Sequence, residues 1–164
     1  MMSAGNGAMY GNIQGIKNLM SHYDKDGDYI NPVNGLAGLL VTDENESSRK
    51  RIISIPDSSK EEMYELTKKE SLRENGVHNG DTTKRTDVYN NLYRKMSKKD
   101  RLAAGYTLEK YERIYRQAFY DAAKKADPNW KIGKPIKDGA LDSVTRELAE
   151  SGKSPAQATL DTKI

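Results

Sequence analysis

The chain has 164 residues, a formal net charge of +3 and no cysteine, which excludes disulfides, thiolate metal sites and cysteine nucleophiles. Apolar residues make up 35% and charged residues 31%, against ~45–50% apolar and ~25% charged in an average domain, so a thin core is expected, with part of the chain outside it. No stretch approaches the ~20 apolar residues of a membrane span. Residues 1–15 lack the basic start and apolar run of a secretory signal, which predicts a cytoplasmic protein or one secreted without a leader.

Ile13, Ile16, Leu19, Met20 and Tyr23 predict a helix over 8–23. An acidic loop follows, and then "GLAGLLV" at 35–41, an apolar run short enough to start a helix or form a buried strand. Ile52, Ile53 and Ile55 before Pro56 read as extended chain, because proline disfavours helical backbone in the residue before it. A short hairpin near 36–55, pairing 36–42 with 49–55, is therefore an alternative to an all-helical path.

Ser58 and Ser59 stand three residues before Glu61 and Glu62, the spacing of a capping box, and predict a helix over 59–73 that buries Met63 and Leu66. Two Asn-Gly pairs make "ENGVHNGDTTK" a loop. Thr86 or Asp87 can cap the next helix, which stacks Val88, Leu92 and Met96, with Tyr89 and Tyr93 beside them. A second box, Ser97 with Asp100, opens a segment that stops at Gly105. The clearest periodicity is at 107–126, capped by Thr107. Leu108, Tyr111, Tyr115, Phe119 and Ala122 share one face, and Glu112, Arg113 and Arg116 lie off it. Trp130, Ile132 and Ile136 are expected to dock back onto the helices. A last helix over 139–150 offers Leu141, Val144 and Leu148, and 152–164 reads as a mobile tail. The fold class is thus mainly α: four or five helices in one small domain over 1–151, with an acidic helix–loop segment at 8–41 and a helical body at 58–151.

Charge is unevenly placed. Residues 1–48 hold two lysines and six acids, a balance of −4, and residues 84–101 hold seven bases and two acids, a balance of +5. In "DKDGDYINPVNG" three aspartates alternate: Asp24, Asp26 and Asp28. Calcium takes six to eight oxygen ligands, and a tight turn with alternate carboxylates aims several at one centre. Asn31 and Asn34 could add oxygens directly or through water. Residues 16–40 resemble the calcium loop of the EF-hand family and its dockerin relatives. Ile16, Leu19, Met20 and Tyr23 match the apolar spacing of that family's entering helix, and Leu36, Leu39 and Leu40 that of its exiting helix. Tyr29 stands where the family has glycine, as if that residue were deleted, and Gly35 or Asn34 stands in place of the terminal glutamate. The resemblance implies weak calcium binding by Asp24, Asp26, Asp28, Asn31 and Asn34.

The basic segment, with Lys84, Arg85, Arg94, Lys95, Lys98, Lys99 and Arg101, is a candidate contact for nucleic acid or another anion, because such side chains neutralise phosphates and nearby tyrosines can stack on bases. A solvated helix face explains the same pattern. The two histidines, His22 and His78, have no nucleophile fixed beside them, and the chain has neither G-x-S-x-G nor H-E-x-x-H. "GKS" at 152–154 lacks the first glycine of a phosphate loop, since position 147 is Glu147. The residues fit best a non-catalytic binding or regulatory module with one calcium loop and a protein partner. Two alternatives stay open: a small bacterial effector, toxin or phage-encoded protein acting on a host macromolecule, and a nucleic-acid-associated helical protein using 84–101.

Overall fold

The computed structural model describes residues 22–78 and 82–152. Five helices lie among them: α1 (Glu46–Arg49), α2 (Asp57–Arg73), α3 (Thr82–Lys95), α4 (Arg101–Ala126) and α5 (Arg146–Glu150), with a 3-10 turn at Lys98–Asp100 leading into α4. The expected helix over 8–23, apart from its last two residues, and the tail beyond Gly152 lie outside the described residues. None of the described helices is long and apolar enough to cross a membrane.

The 26-residue α4 is the axis of the fold, and α2, α3 and α5 all pack on it. Its stripe of Ala104, Leu108, Tyr115, Phe119 and Ala122 meets Met63, Tyr64 and Leu66 of α2, Val88 and Leu92 of α3, and Leu141, Val144 and Ala149 near the end of the chain. Each large apolar side chain buried here contributes ~1.5–3 kcal/mol. Tyrosine supplies much of the core, and the hydroxyls of the two buried tyrosines, Tyr64 and Tyr115, are satisfied. Tyr64 stacks edge-on to Tyr115 at 5.6 Å and donates to the Val144 carbonyl, while Tyr115 donates to Glu150 at 2.8 Å. Thr145 caps α5 by accepting from the Leu148 amide at 3.1 Å.

Several local expectations are corrected. The 36–55 hairpin does not form: the described residues contain isolated bridges but no strand, and 46–49 are helical. The Ile53 amide finds a side-chain acceptor instead, the Thr107 hydroxyl at 3.0 Å. Thr107 is therefore no cap. It is buried in mid-helix and donates to the Ala103 carbonyl at 2.8 Å. The Ser58 and Ser59 boxes are also absent. α2 starts at Asp57 after Pro56, with no side-chain cap, and Ser58 accepts from Lys95 at 2.8 Å. Beyond Met63 and Leu66, α2 buries Tyr64, Thr67, Glu70 and Ser71. The Ser97 hydroxyl meets the Asp100 carboxylate at 3.0 Å and no backbone amide. α3 starts at Thr82, ahead of Thr86 and Asp87. The last helix is only 146–150, and turns occupy 138–143.

The exiting helix of the calcium-loop resemblance is absent as well, since Leu36, Leu39 and Leu40 lie on irregular backbone. Gly38 explains this. Its φ is +83°, outside the right-handed helical region, and a Cβ there would lie 2.3 Å from the Lys98 carbonyl oxygen. Close approach to the 3-10 turn, and not a helical path, sets the backbone at this point.

Candidate functional site

The acidic loop is a tight reversal. The Asp24 amide donates to the Asp28 carbonyl at 2.9 Å, Gly27 donates back to Asp24 at 3.0 Å, and Tyr23 bridges Tyr29. One carboxylate oxygen of Asp24 accepts from the Asp26 and Asp28 amides, both at 2.9 Å. Its other oxygen faces a shared centre. Ligand oxygens of Asp24, Asp26 and Asp28 lie within 4.8 Å of one another.

An ammonium group fills that centre. Lys98 Nζ lies 2.7, 2.8 and 2.6 Å from Asp24, Asp26 and Asp28. The three hydrogen bonds raise the Lys98 pKa above the ordinary lysine range. The bond from Lys98, aided by the Asp28 and Asp26 amides, holds Asp24 below the usual carboxylate range. The cluster of three carboxylates and one ammonium has a net charge of −2. Asn31 and Asn34 are differently occupied. Asn31 Oδ1 accepts from the Val33 amide at 2.8 Å, and Asn34 Oδ1 accepts from the Leu36 amide at 3.0 Å while its Nδ2 donates to Asn90.

Most of the basic segment bonds within the fold. Besides Lys98, Arg85 binds Glu70 and Glu112, and Lys95 reaches Glu62 and Ser58. Arg101 donates to the Tyr93 and Ala37 carbonyls, both at 2.8 Å, and Arg94 donates to Asn91. Lys84 and Lys99 are exposed. Of the histidines, His22 is exposed and His78 half-buried, on different parts of the fold.

Sequence reasoning missed a second polar cluster, between α2, α3 and α4. Arg85 donates to Glu70 at 2.8 Å and to Glu112 at 3.0 Å; Tyr89 donates to Glu112 at 3.3 Å, and Arg116 also pairs with Glu112. Both glutamates are buried. Burial, outweighing Arg85, pushes the Glu70 carboxyl above its ordinary range. Burial, and then the charges of Arg116 and Arg85, pushes His78 below the histidine range. Register could have revealed Glu112: positions 108, 112, 115 and 119 recur at the spacing of one helix face, and an acid in that series needs a buried cation.

Fold and loop together define a small α-helical domain whose carboxylate loop is closed onto its helical body by an internal ammonium ion. The chain belongs to the family described as a domain of unknown function (DUF3879), which it matches over residues 1–164. No curated protein and no solved structure gives a significant match.

Proposed function

We propose that this domain is a non-catalytic binding module whose acidic loop exchanges the Lys98 ammonium for calcium, so that the cation controls how the loop is latched to the helical body. The supporting observation is the convergence of three carboxylate oxygens on one cation-sized centre with a net charge of −2. A divalent ion in place of the ammonium would lower the cluster's net charge from −2 to −1, with Asp24, Asp26 and Asp28 as its protein ligands and water completing the shell. Three carboxylates without a bidentate glutamate place the affinity at the weak end, Kd on the order of 10⁻⁴–10⁻³ M. With most of the basic segment bonded within the fold, the geometry favours this reading over the nucleic-acid alternative.

Tyr23 and Tyr29, edge-to-face at 5.8 Å, flank the loop and serve as antennae for terbium. Terbium titration with calcium competition should give sensitised emission in the parent chain. Lys98→Met should bind about tenfold tighter, because the internal competitor is gone, and Asp26→Ala should lose the signal. If neither the parent nor Lys98→Met sensitises terbium, the three carboxylates do not hold the ion even without the internal ammonium, and the calcium reading fails.

A further inference from the structure

A cavity of about 400 Å³ opens beside α4, between the α2 end and the 127–136 connection. That is within the ~300–1,000 Å³ usual for small-molecule sites. It shares no residue with the acidic loop. Phe119 and Tyr120 of α4 form one wall, and Trp130, Ile132 and Ile136 form the other. The second wall is fixed in place. Trp130 Nε1 donates to the Lys134 carbonyl at 2.7 Å, the Gly133 amide donates to Asn75 at 2.9 Å, and Tyr120 stacks edge-on to Trp130 at 5.4 Å. Ile132, 55% exposed, leaves apolar surface on this wall that a bound molecule would cover.

The polar lining consists of Ser71, His78, Arg113, Arg116 and Gln117. Arg116 Nε and His78 Nδ1 are buried and have no hydrogen-bond partner among the described residues, an uncommon state for buried polar atoms. The Nε atom is closed off from solvent, but the Arg116 side chain is about one-third exposed and lines the cavity, so an acceptor oxygen there would meet the accessible part of its guanidinium. The charge count limits that acceptor. Arg113 is already paired with Glu109 at 2.8 Å and Arg116 with Glu112, so these guanidinium groups are largely neutralised. A dianion would face those carboxylates, and a cation would face Arg113 and Arg116.

We propose that this cavity binds a small, flat apolar molecule carrying a single carboxylate, its body between Phe119, Trp130 and Ile132 and its carboxylate on Arg116. The test is calorimetric titration of the full chain with 2-naphthoate in EDTA, which keeps the outcome independent of the acidic loop. Trp130, the chain's one tryptophan, reports in parallel by its emission. Saturable sub-millimolar binding with a change in Trp130 emission is expected, with 2-naphthylmethylamine and 2-naphthyl phosphate at least tenfold weaker. Arg116→Gln should lower naphthoate affinity about tenfold while leaving neutral 2-naphthamide within twofold. Absence of saturable naphthoate binding, equal binding of the amine, or indifference to Arg116→Gln overturns the proposal. Should Arg116→Gln fail to fold, Ile132→Ser at the exposed wall decides: a loss of several-fold supports the site, and an unchanged affinity refutes it.

Discussion

Glu70 and Glu112 show how neighbouring acids differ with their partners. Glu112 accepts from two arginines and a tyrosine, whereas Glu70 has one partner, Arg85, and its Oε2 is buried without any among the described residues. A folded-state pKa raised by burial means that the folded protein holds the Glu70 proton more tightly than the unfolded chain does. That contribution is present at low pH and is lost as pH rises through the folded pKa, above the ordinary 4.5. Glu70→Gln keeps an acceptor for Arg85 and removes the charge. It should raise the urea midpoint at about pH 8 and flatten the fall of stability with pH above 4.5. Glu112→Gln should instead lower the urea midpoint, costing about 3 kcal/mol, because it weakens the pairing of two partly buried guanidinium groups at once. Neither acid could be assigned from the sequence as an exposed or buried glutamate by type alone. Its charge alone assigns Glu112 to the polar side of the helix, although its register lies within the apolar face.

Among the elements, α4 departs most from its sequence pattern. The apolar period locates 107–126, and Gly105 reads as a stop. The helix nonetheless runs through Gly105 from Arg101, because α3 crosses closely there. A Cβ at Gly105 would lie 2.7 Å from the Tyr93 hydroxyl and 3.2 Å from its ring. Helix propensity would favour alanine at such a position by ~1 kcal/mol, and the contact with Tyr93 cancels that gain. Gly105→Ala alone should therefore fail to stabilise the protein. In a Tyr93→Phe background, where the hydroxyl is gone, it should stabilise by ~0.5–1 kcal/mol. A double-mutant cycle in urea measures the coupling, and additive effects would mean that the crossing relaxes freely. The short segments were less legible for a related reason. α1, the 3-10 turn and α5 are too short for a period to emerge, and the extended chain at 51–55 is held by Thr107, far away in sequence.

For the molecule as a whole, the acidic front is fastened to the basic middle by Lys98 and by Arg101 on the Ala37 carbonyl. Asp24 has a lowered pKa, so its contribution is present above the ordinary 3.8 and is lost as pH falls through the lower folded value. Acid should therefore loosen the loop before the helices melt. In NMR, the Asp26 and Asp28 amides, both bound to Asp24, should shift as pH falls below 3.8 while Leu108 and Phe119 keep their folded signals. Simultaneous loss would mean that loop and body are one cooperative unit.

By itself, the sequence determined the helical class, the core stripe of α4 and the three aspartates that meet at one centre, because periodicity and close spacing act within a few residues. Tertiary structure alone decided which cation occupies that centre, which glutamates are buried and where the cavity lies. Each of these depends on side chains brought together across the chain: Lys98 lies 74 positions from Asp24, and neither composition nor local pattern encodes that approach.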